Sequence, residues 1–512
     1  MKHAMADSAA ATATSRDVGG ISPGRDVVAT GFFVLLAFIA PLLIFGENSL
    51  RFWDGMLIGR IAILCYSAAV LAHLIHVRET RWFATAFWSF CYVWMGLAPL
   101  GQAMVGRGPY GTYITEATEF PSCELVLAGM AAWHIGYALF WSQRRHLEAT
   151  KTAVNRSGGE RSMRAASISK KRVVSVSLLA IWLTPFLLAV QGGLFSNWTT
   201  REGRSDELAE AGLGVASDGS ILRTILPAVA VVLPFVACLI IVRYFQANPG
   251  VWRRPGWIAL ASGVAAVTLL SSSPTGSSRF WFGTVAIGLV TSLRPFNKPN
   301  GRAFVIISVI VSLVVIFPYA DLFRRDQVSL QLKSISDPLQ NKLDYDAASQ
   351  ITNGMIARDE LGVSTNGRQM LGAALILVPR SIWHGKPETT GVIIAKSNDF
   401  SFTNMSSPLW IEGYMDFGVP GTLALLLLAG IASGALDRRY WFEIAWSRGS
   451  PTLIQVIVPP VAAYSYILLR GSLIGTLPSG VLLVALSVFV LRKGKTSTEI
   501  SSSGVIPRCV SQ

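Results

Sequence analysis

Two short stretches concentrate the groups able to do chemistry. In Pro379-Arg380-Ser381-Ile382-Trp383-His384-Gly385-Lys386-Pro387, rigid prolines and a glycine hold two cations, an aromatic ring and a histidine close together. A guanidinium presents forked donors that match phosphate oxygens, and it never loses its proton. Arg380, with Lys386 and His384 beside it, therefore suits a phosphate, and Trp383 adds an aromatic face. His384 has no carboxylate nearby in sequence to orient it, so a substrate contact or a surface position fits it better than a role as base. In Asn404-Met405-Ser406-Ser407-Pro408-Leu409-Trp410-Ile411-Glu412-Gly413-Tyr414, Glu412 is a single carboxylate among aromatics just ahead of a helix. It could take or orient a hydroxyl proton, and an acid favoured by a helix macrodipole explains it equally well.

Further cations belong to the same face. They are Arg201 and Arg204, Arg279 at the end of Ser-Ser-Ser-Pro-Thr-Gly-Ser-Ser-Arg, Arg324 with Arg325, and Arg470. A solvated or lipid-headgroup position accounts for any one of them. Arg279 and Arg470 differ, because each sits in a minimal link between apolar runs, where a charge favours a functional reading. Asp344-Tyr345-Asp346 has the spacing of a metal pair, but two acids opening a helix explain it as well. Glycine-rich phosphate cradles are missing. No metal or cofactor is expected, and energy would come from an activated lipid or a gradient. Cys65, Cys91, Cys123, Cys238 and Cys509 lie far apart, without metal or redox spacing.

The elements that must position these groups are membrane helices. Of 512 residues, 51% are hydrophobic and 14% charged, against roughly a quarter charged in a soluble domain. Apolar stretches long enough for about twelve spans run over 27–46, 56–76, 82–105, 122–141, 173–192, 222–242, 256–270, 280–293, 303–320, 418–436, 452–469 and 477–491. The net charge of +14 lies in short links between these runs, which argues for cytoplasmic loops and against nucleic acid. The basic link 143–172 sets the orientation, with both termini cytoplasmic. The expected organisation is a cytoplasmic tail over 1–26, a membrane domain over 27–320 holding helices 1–9, a large periplasmic loop over 321–417, a membrane domain over 418–491 holding helices 10–12, and a tail over 492–512. Inside the large loop, Asp344 to Glu360 has helical apolar spacing. Met370 to Val378 is apolar but too short to span, as an interfacial or re-entrant helix would be.

Ser-Ser-Arg-Phe at Ser277 to Phe280, Pro-Arg-Ser-Ile-Trp-x-x-Lys-Pro at Pro379 to Pro387, and Ser-Pro-Leu-Trp-x-Glu-Gly at Ser407 to Gly413 resemble the O-antigen polymerase family. Arg201 with Gly212 and Arg380 with Gly391, ten residues between each pair, also resemble that family's pattern in its third and fifth outer loops. The resemblance implies an all-α polytopic type C glycosyltransferase fold in the bacterial inner membrane. It implies that undecaprenyl-diphosphate-linked oligosaccharide repeat units are joined at the periplasmic face into O-antigen or exopolysaccharide, without a metal. A chain-length regulator and a flippase would be partners, besides membrane lipid. Under this reading Arg380 and Arg279 stabilise the leaving diphosphate, with Arg324, Arg325 and Arg470 next, and Glu412 handles the acceptor proton. An O-antigen ligase, a lipid-linked glycan flippase and a structural partner in an export complex are the competing readings.

Overall fold

The structure is a computed structural model and describes residues 23–46, 57–77, 79–109, 114–141, 167–168, 170–191, 193–195, 198, 221–275, 277–319, 334–376, 378, 382–446 and 452–492. Among these, nine helices are long and apolar enough to cross a membrane. In chain order the helices are α1 (Gly24–Phe45), α2 (Ile58–His76), α3 (Trp82–Val105), α4 (Glu116–Trp141), α5 (Lys170–Val190), α6 (Ile221–Ala247), the shorter α7 (Pro255–Ser271) and α8 (Arg279–Ser292), and α9 (Pro299–Tyr319). Four short helices follow, α10 (Ser336–Asn341), α11 (Ala347–Asp359), α12 (Arg368–Ala374) and α13 (Thr390–Ser397), then α14 (Leu409–Trp446), α15 (Leu453–Arg470) and α16 (Leu473–Val490). Each apolar stretch of the sequence is thus helical. The one strand pairing of the described residues joins Ser167–Ile168 to Leu491–Arg492.

Helix α3 is the hub, buried from Trp82 to Met104. A helix apolar on every side must be surrounded by protein or lipid, and here its neighbours are other helices. Three helices widen into a π-turn just before a proline: α1 over Leu35–Ile39 ahead of Pro41, α3 over Cys91–Leu97 ahead of Pro99, and α9 over Ser312–Ile316 ahead of Pro318. Proline has no N–H and crowds the preceding turn, so widening relieves the clash and leaves carbonyls without a helical donor. Side chains from elsewhere take up three of these carbonyls. Tyr92 donates to Leu36 O at 3.0 Å, Arg60 Nη1 to Met95 O at 3.2 Å, and Tyr345 to Leu313 O at 2.9 Å.

Helix α14 carries the architecture that matters for function. Its helical run breaks once, at Gly418, with φ 68° and ψ −154°, a conformation open in practice only to glycine. Pro420 then opens the long second part, as proline suits a first turn. The preceding Leu409–Phe417 piece folds back alongside that part: Thr422 Oγ1 donates to Trp410 O at 2.8 Å, and a Cβ on Gly413 would stand 2.7 Å from Gly421 O. Trp410 Nε1 donates to Val126 O at 3.1 Å, in the body of α4. The half-helix therefore starts inside the bundle and ends at exposed Phe417. The expected span 418–436 falls within the long part. The helical stretch before it, too short to span, was read as loop because only its packing on α4 and α14 holds it.

The long part of α14 runs beside α4 at backbone contact. A Cβ on Gly136 would lie 2.3 Å from Leu427 O, and one on Gly430 2.1 Å from Trp133 O. Glycines at such spacing let membrane helices approach closely where hydrophobicity gives no preference for protein over lipid. At one end of the bundle Asp437 of α14 accepts from Phe83 N at 3.0 Å and Ala84 N at 3.1 Å, and from Tyr137 Oη at 3.0 Å. It thereby satisfies donors that the first turn of α3 cannot pair internally.

Candidate functional site

The opposite end of the bundle gathers the chemistry. There α8 begins, α15 ends, α16 begins, and the segment from α10 to α14 covers them. The 3-10 turn Leu343–Tyr345 leads into α11 with Asp346 as its N-cap residue. This turn presents Asp344 and Asp346 to two arginines from different helices. Arg279, first residue of α8, pairs with Asp344 and donates Nη1 to Phe317 O at 3.3 Å. Arg470, last residue of α15, donates Nη2 to Asp346 Oδ1 at 2.9 Å and to Leu343 O at 3.2 Å. Each guanidinium lies over a ring, Arg279 at 5.0 Å from the centroid of Phe317 and Arg470 at 4.9 Å from that of Phe280. Aromatic faces hold a planar cation in place without consuming its in-plane donors.

Ser406 and Ser407 join this pair to Glu412. Ser406 N donates to Asp346 Oδ2 at 3.2 Å, Ser407 N to Arg470 O at 2.8 Å, and Ser407 Oγ to Glu412 Oε1 at 2.6 Å. Glu412 is fully buried in the first turn of the half-helix. Thr390, which opens α13, Ser472 just before α16, and the Leu473 N–H face the same carboxylate. The starts of three helices thus meet at one buried carboxyl group. Glu412 ties these helix starts together and, through Ser407, fixes where Arg470 ends. It lies below the open face of the site, whereas the side chain of Asp344 is 22% exposed.

The remaining expected residues are placed as follows. Lys386 Nζ donates to Ile376 O at 2.8 Å and Val378 O at 2.9 Å. Its ammonium thereby ties together the carbonyls on either side of residue 377. His384 is exposed and Trp383 half-buried, and the Gly385 carbonyl after them accepts from Arg368 Nη2 at 2.7 Å. This segment abuts the start of α16, since a Cβ on Gly372 would meet both Pro387 and Ile474. Arg201, Arg204, Arg324, Arg325 and Arg380 lie outside the described residues.

Sequence reasoning missed several partners. Arg60 is a charge inside the apolar run 56–76, and its partner Glu119 lies ahead of the fourth expected span, 122–141. Helix α4 begins earlier, at Glu116, so Glu119 faces Arg60 with contacts of 2.5 Å and 3.1 Å. The signal was available, because Glu116 and Glu119 precede Pro121 as acids and proline do in an opening helix turn. Asp344 and Asp346 were weighed as a metal pair or a helix start. They open a helix and serve as arginine partners. Comparison of the chain with models of known families, with curated proteins and with solved structures finds no match.

Proposed function

We propose that this chain is a membrane glycosyltransferase of about twelve spans that joins lipid-diphosphate-linked oligosaccharide repeat units at the outer face of the bacterial inner membrane. The observation that carries the reading is the pair Arg279 and Arg470, brought from separate helices onto Asp344 and Asp346 beside the start of a half-helix. In the reaction an acceptor hydroxyl attacks the anomeric carbon of the donor glycan. The bond from that carbon to the diphosphate oxygen breaks, and the hydroxyl proton passes to a base. Negative charge grows on the leaving diphosphate, so fixed guanidinium groups stabilise the transition state more than the ground state. Arg279 and Arg470 are the cations of the described site, and Arg380 acts with them on the diphosphate. The aspartates hold both guanidinium planes in register while the site is empty of phosphate. Asp344, the more open carboxylate, is placed to take the proton, and Glu412 positions Arg470.

Transport is disfavoured by where the buried charges lie. Arg60, Glu119 and Arg302 are buried within a turn or so of their helix starts, Arg243 about a turn from the end of α6, and Asp437 against the first turn of α3, whereas a translocation path calls for ionisable groups at mid-membrane. The deciding experiment is the glycan profile of a deletion strain, with synthesis by purified protein in liposomes carrying EDTA as its complement. A polymerase defect leaves single repeat units attached to the surface lipid, and polymer forms in vitro. Loss of every repeat unit from the surface lipid would mean a ligase, and an unchanged profile would refute both.

A further inference from the structure

The outer end of the bundle carries an apolar stripe that faces away from the protein. Helix α12 bridges two spans there. A Cβ on Gly367, just before it, would stand 2.9 Å from the ring of Phe417 at the break of α14, and one on Gly372 would stand 2.7 Å from Ile474 in the first turn of α16. The inward residues of α12 are Gln369, Gly372 and Ala373, all buried, and its outward residues include Leu371, Ala374 and Leu375. Leu371 and Leu375, one turn apart on a single face, are 49% and 43% exposed, Phe417 is 56% exposed, and Ile382, in the turn beyond the helix, 75%. The helix is fixed in this pose from the half-helix. Buried Asp416 accepts from Gln369 N at 3.2 Å and Met370 N at 2.8 Å, two of the first-turn donors that a helix cannot pair internally. Gln369 Nε2 in turn donates to Glu388 O at 3.1 Å.

A helix on a loop washed by water turns its polar side outward, and α12 does the opposite. Contiguous exposed apolar surface marks a contact with protein or membrane, and what adjoins this stripe decides between them. Val419 and Leu428 of α14 and Val481 of α16 are exposed as well, on spans whose outer surface meets lipid, and α12 continues that surface across their outer ends. Half-buried Trp383 and exposed Arg368 stand at its margin, an aromatic and a cation of the kinds that settle among headgroups. We propose that α12 and the Ile382 turn dock into the outer leaflet of the membrane, with Leu371, Leu375, Ile382 and Phe417 among acyl chains and Arg368 at the headgroup phosphates. The proposal stands independently of the reaction proposed above. It makes part of the segment 321–417 a membrane-bound element. Ile474, against which α12 rests, lies four residues after Arg470 in sequence, so the same contact sets how far the arginine pair stands from the lipid phosphates.

The test puts the photoreactive residue p-benzoylphenylalanine in place of Leu371, Leu375, Ile382 or Glu360, one at a time, in the full chain in bacterial membranes. All four side chains are exposed, so the replacements leave the packing intact, and gel filtration beside the wild type checks this. Irradiation should couple the first three positions to phospholipid, identified by mass and by cleavage with phospholipase. Their yield should be at least about fivefold above that from Glu360, a polar position at the end of α11, because an interfacial element buries only its apolar face. Yields no higher than that from Glu360 would mean that water covers the stripe and would overturn the proposal. An adduct with a second copy of the chain or with another protein would overturn it too. So would an adduct of isoprenoid mass, which would move the occupant from the leaflet to the lipid-linked donor.

Discussion

The Arg60–Glu119 pair should behave as one unit, and a double-mutant cycle can measure this. Two bonds join it, Nε to Oε1 at 2.5 Å and Nη2 to Oε2 at 3.1 Å, and Arg60 also reaches Met95 O and Ser122 Oγ. Breaking a buried pair from one side leaves an uncompensated charge and costs about 3–5 kcal/mol. Glu119→Leu leaves the guanidinium its Met95 O and Ser122 Oγ acceptors, so it belongs at the lower end, about 3 kcal/mol. Arg60→Leu also leaves the Met95 carbonyl without its donor, which places it higher, near about 5 kcal/mol. Combining Arg60→Leu with Glu119→Leu removes both charges and leaves only that carbonyl and the Ser122 hydroxyl, a loss of about 1–3 kcal/mol. The double variant should then be more stable than Arg60→Leu alone, with a coupling of about 3 kcal/mol or more. Unfolding in mixed micelles by SDS titration, read by tryptophan emission, supplies the free energies. Additive single effects, or singles below about 1 kcal/mol, would show that solvent already screens the charges and would refute the reasoning.

Gly430→Ala should destabilise by about 1–3 kcal/mol, because its Cβ would meet the Trp133 carbonyl at 2.1 Å, whereas Gly24→Ala, with nothing within 4 Å, should be neutral; the same SDS titration distinguishes them. Arg380→Lys should keep the charge and lose most polymer synthesis at matched membrane abundance, since an ammonium cannot bind phosphate through a fork. Wild-type chain lengths from that variant would remove Arg380 from the site, as an anchor to lipid headgroups is worth only about 1 kcal/mol for either cation.

Hydropathy was sufficient to locate the helices, because exclusion from water acts along the whole of each run and needs no partner. It failed where partners decide. Leu409–Phe417 is too short to read as a span, and its helicity is meaningful only against Val126 and Gly421. Glu119 was hidden because a carboxylate looks like a span boundary until a guanidinium stands opposite. The arginines of the site were visible as charges in minimal links, and Arg279 and Arg470 do converge. Which acids meet them was not visible, since Asp344 and Asp346 lie more than a hundred residues from Arg470 in sequence. Lys386 shows what spacing in sequence conceals: two of its ammonium donors go to carbonyls of its own loop.

The break at Gly418 also constrains how the chain is made. Nine residues of helix reach only about 13 Å, under half of a hydrocarbon core about 30 Å thick, so the membrane-insertion machinery cannot seat Leu409–Phe417 as a span. Its landing place must already exist. Helix α4, with the Val126 carbonyl that receives Trp410, leaves the ribosome well before residue 409 and is present when the half-helix emerges. The wall that Gly413 needs, however, is Gly421, which emerges afterwards. The packing of the segment carrying Glu412 is therefore complete only once the long part of α14 is in place.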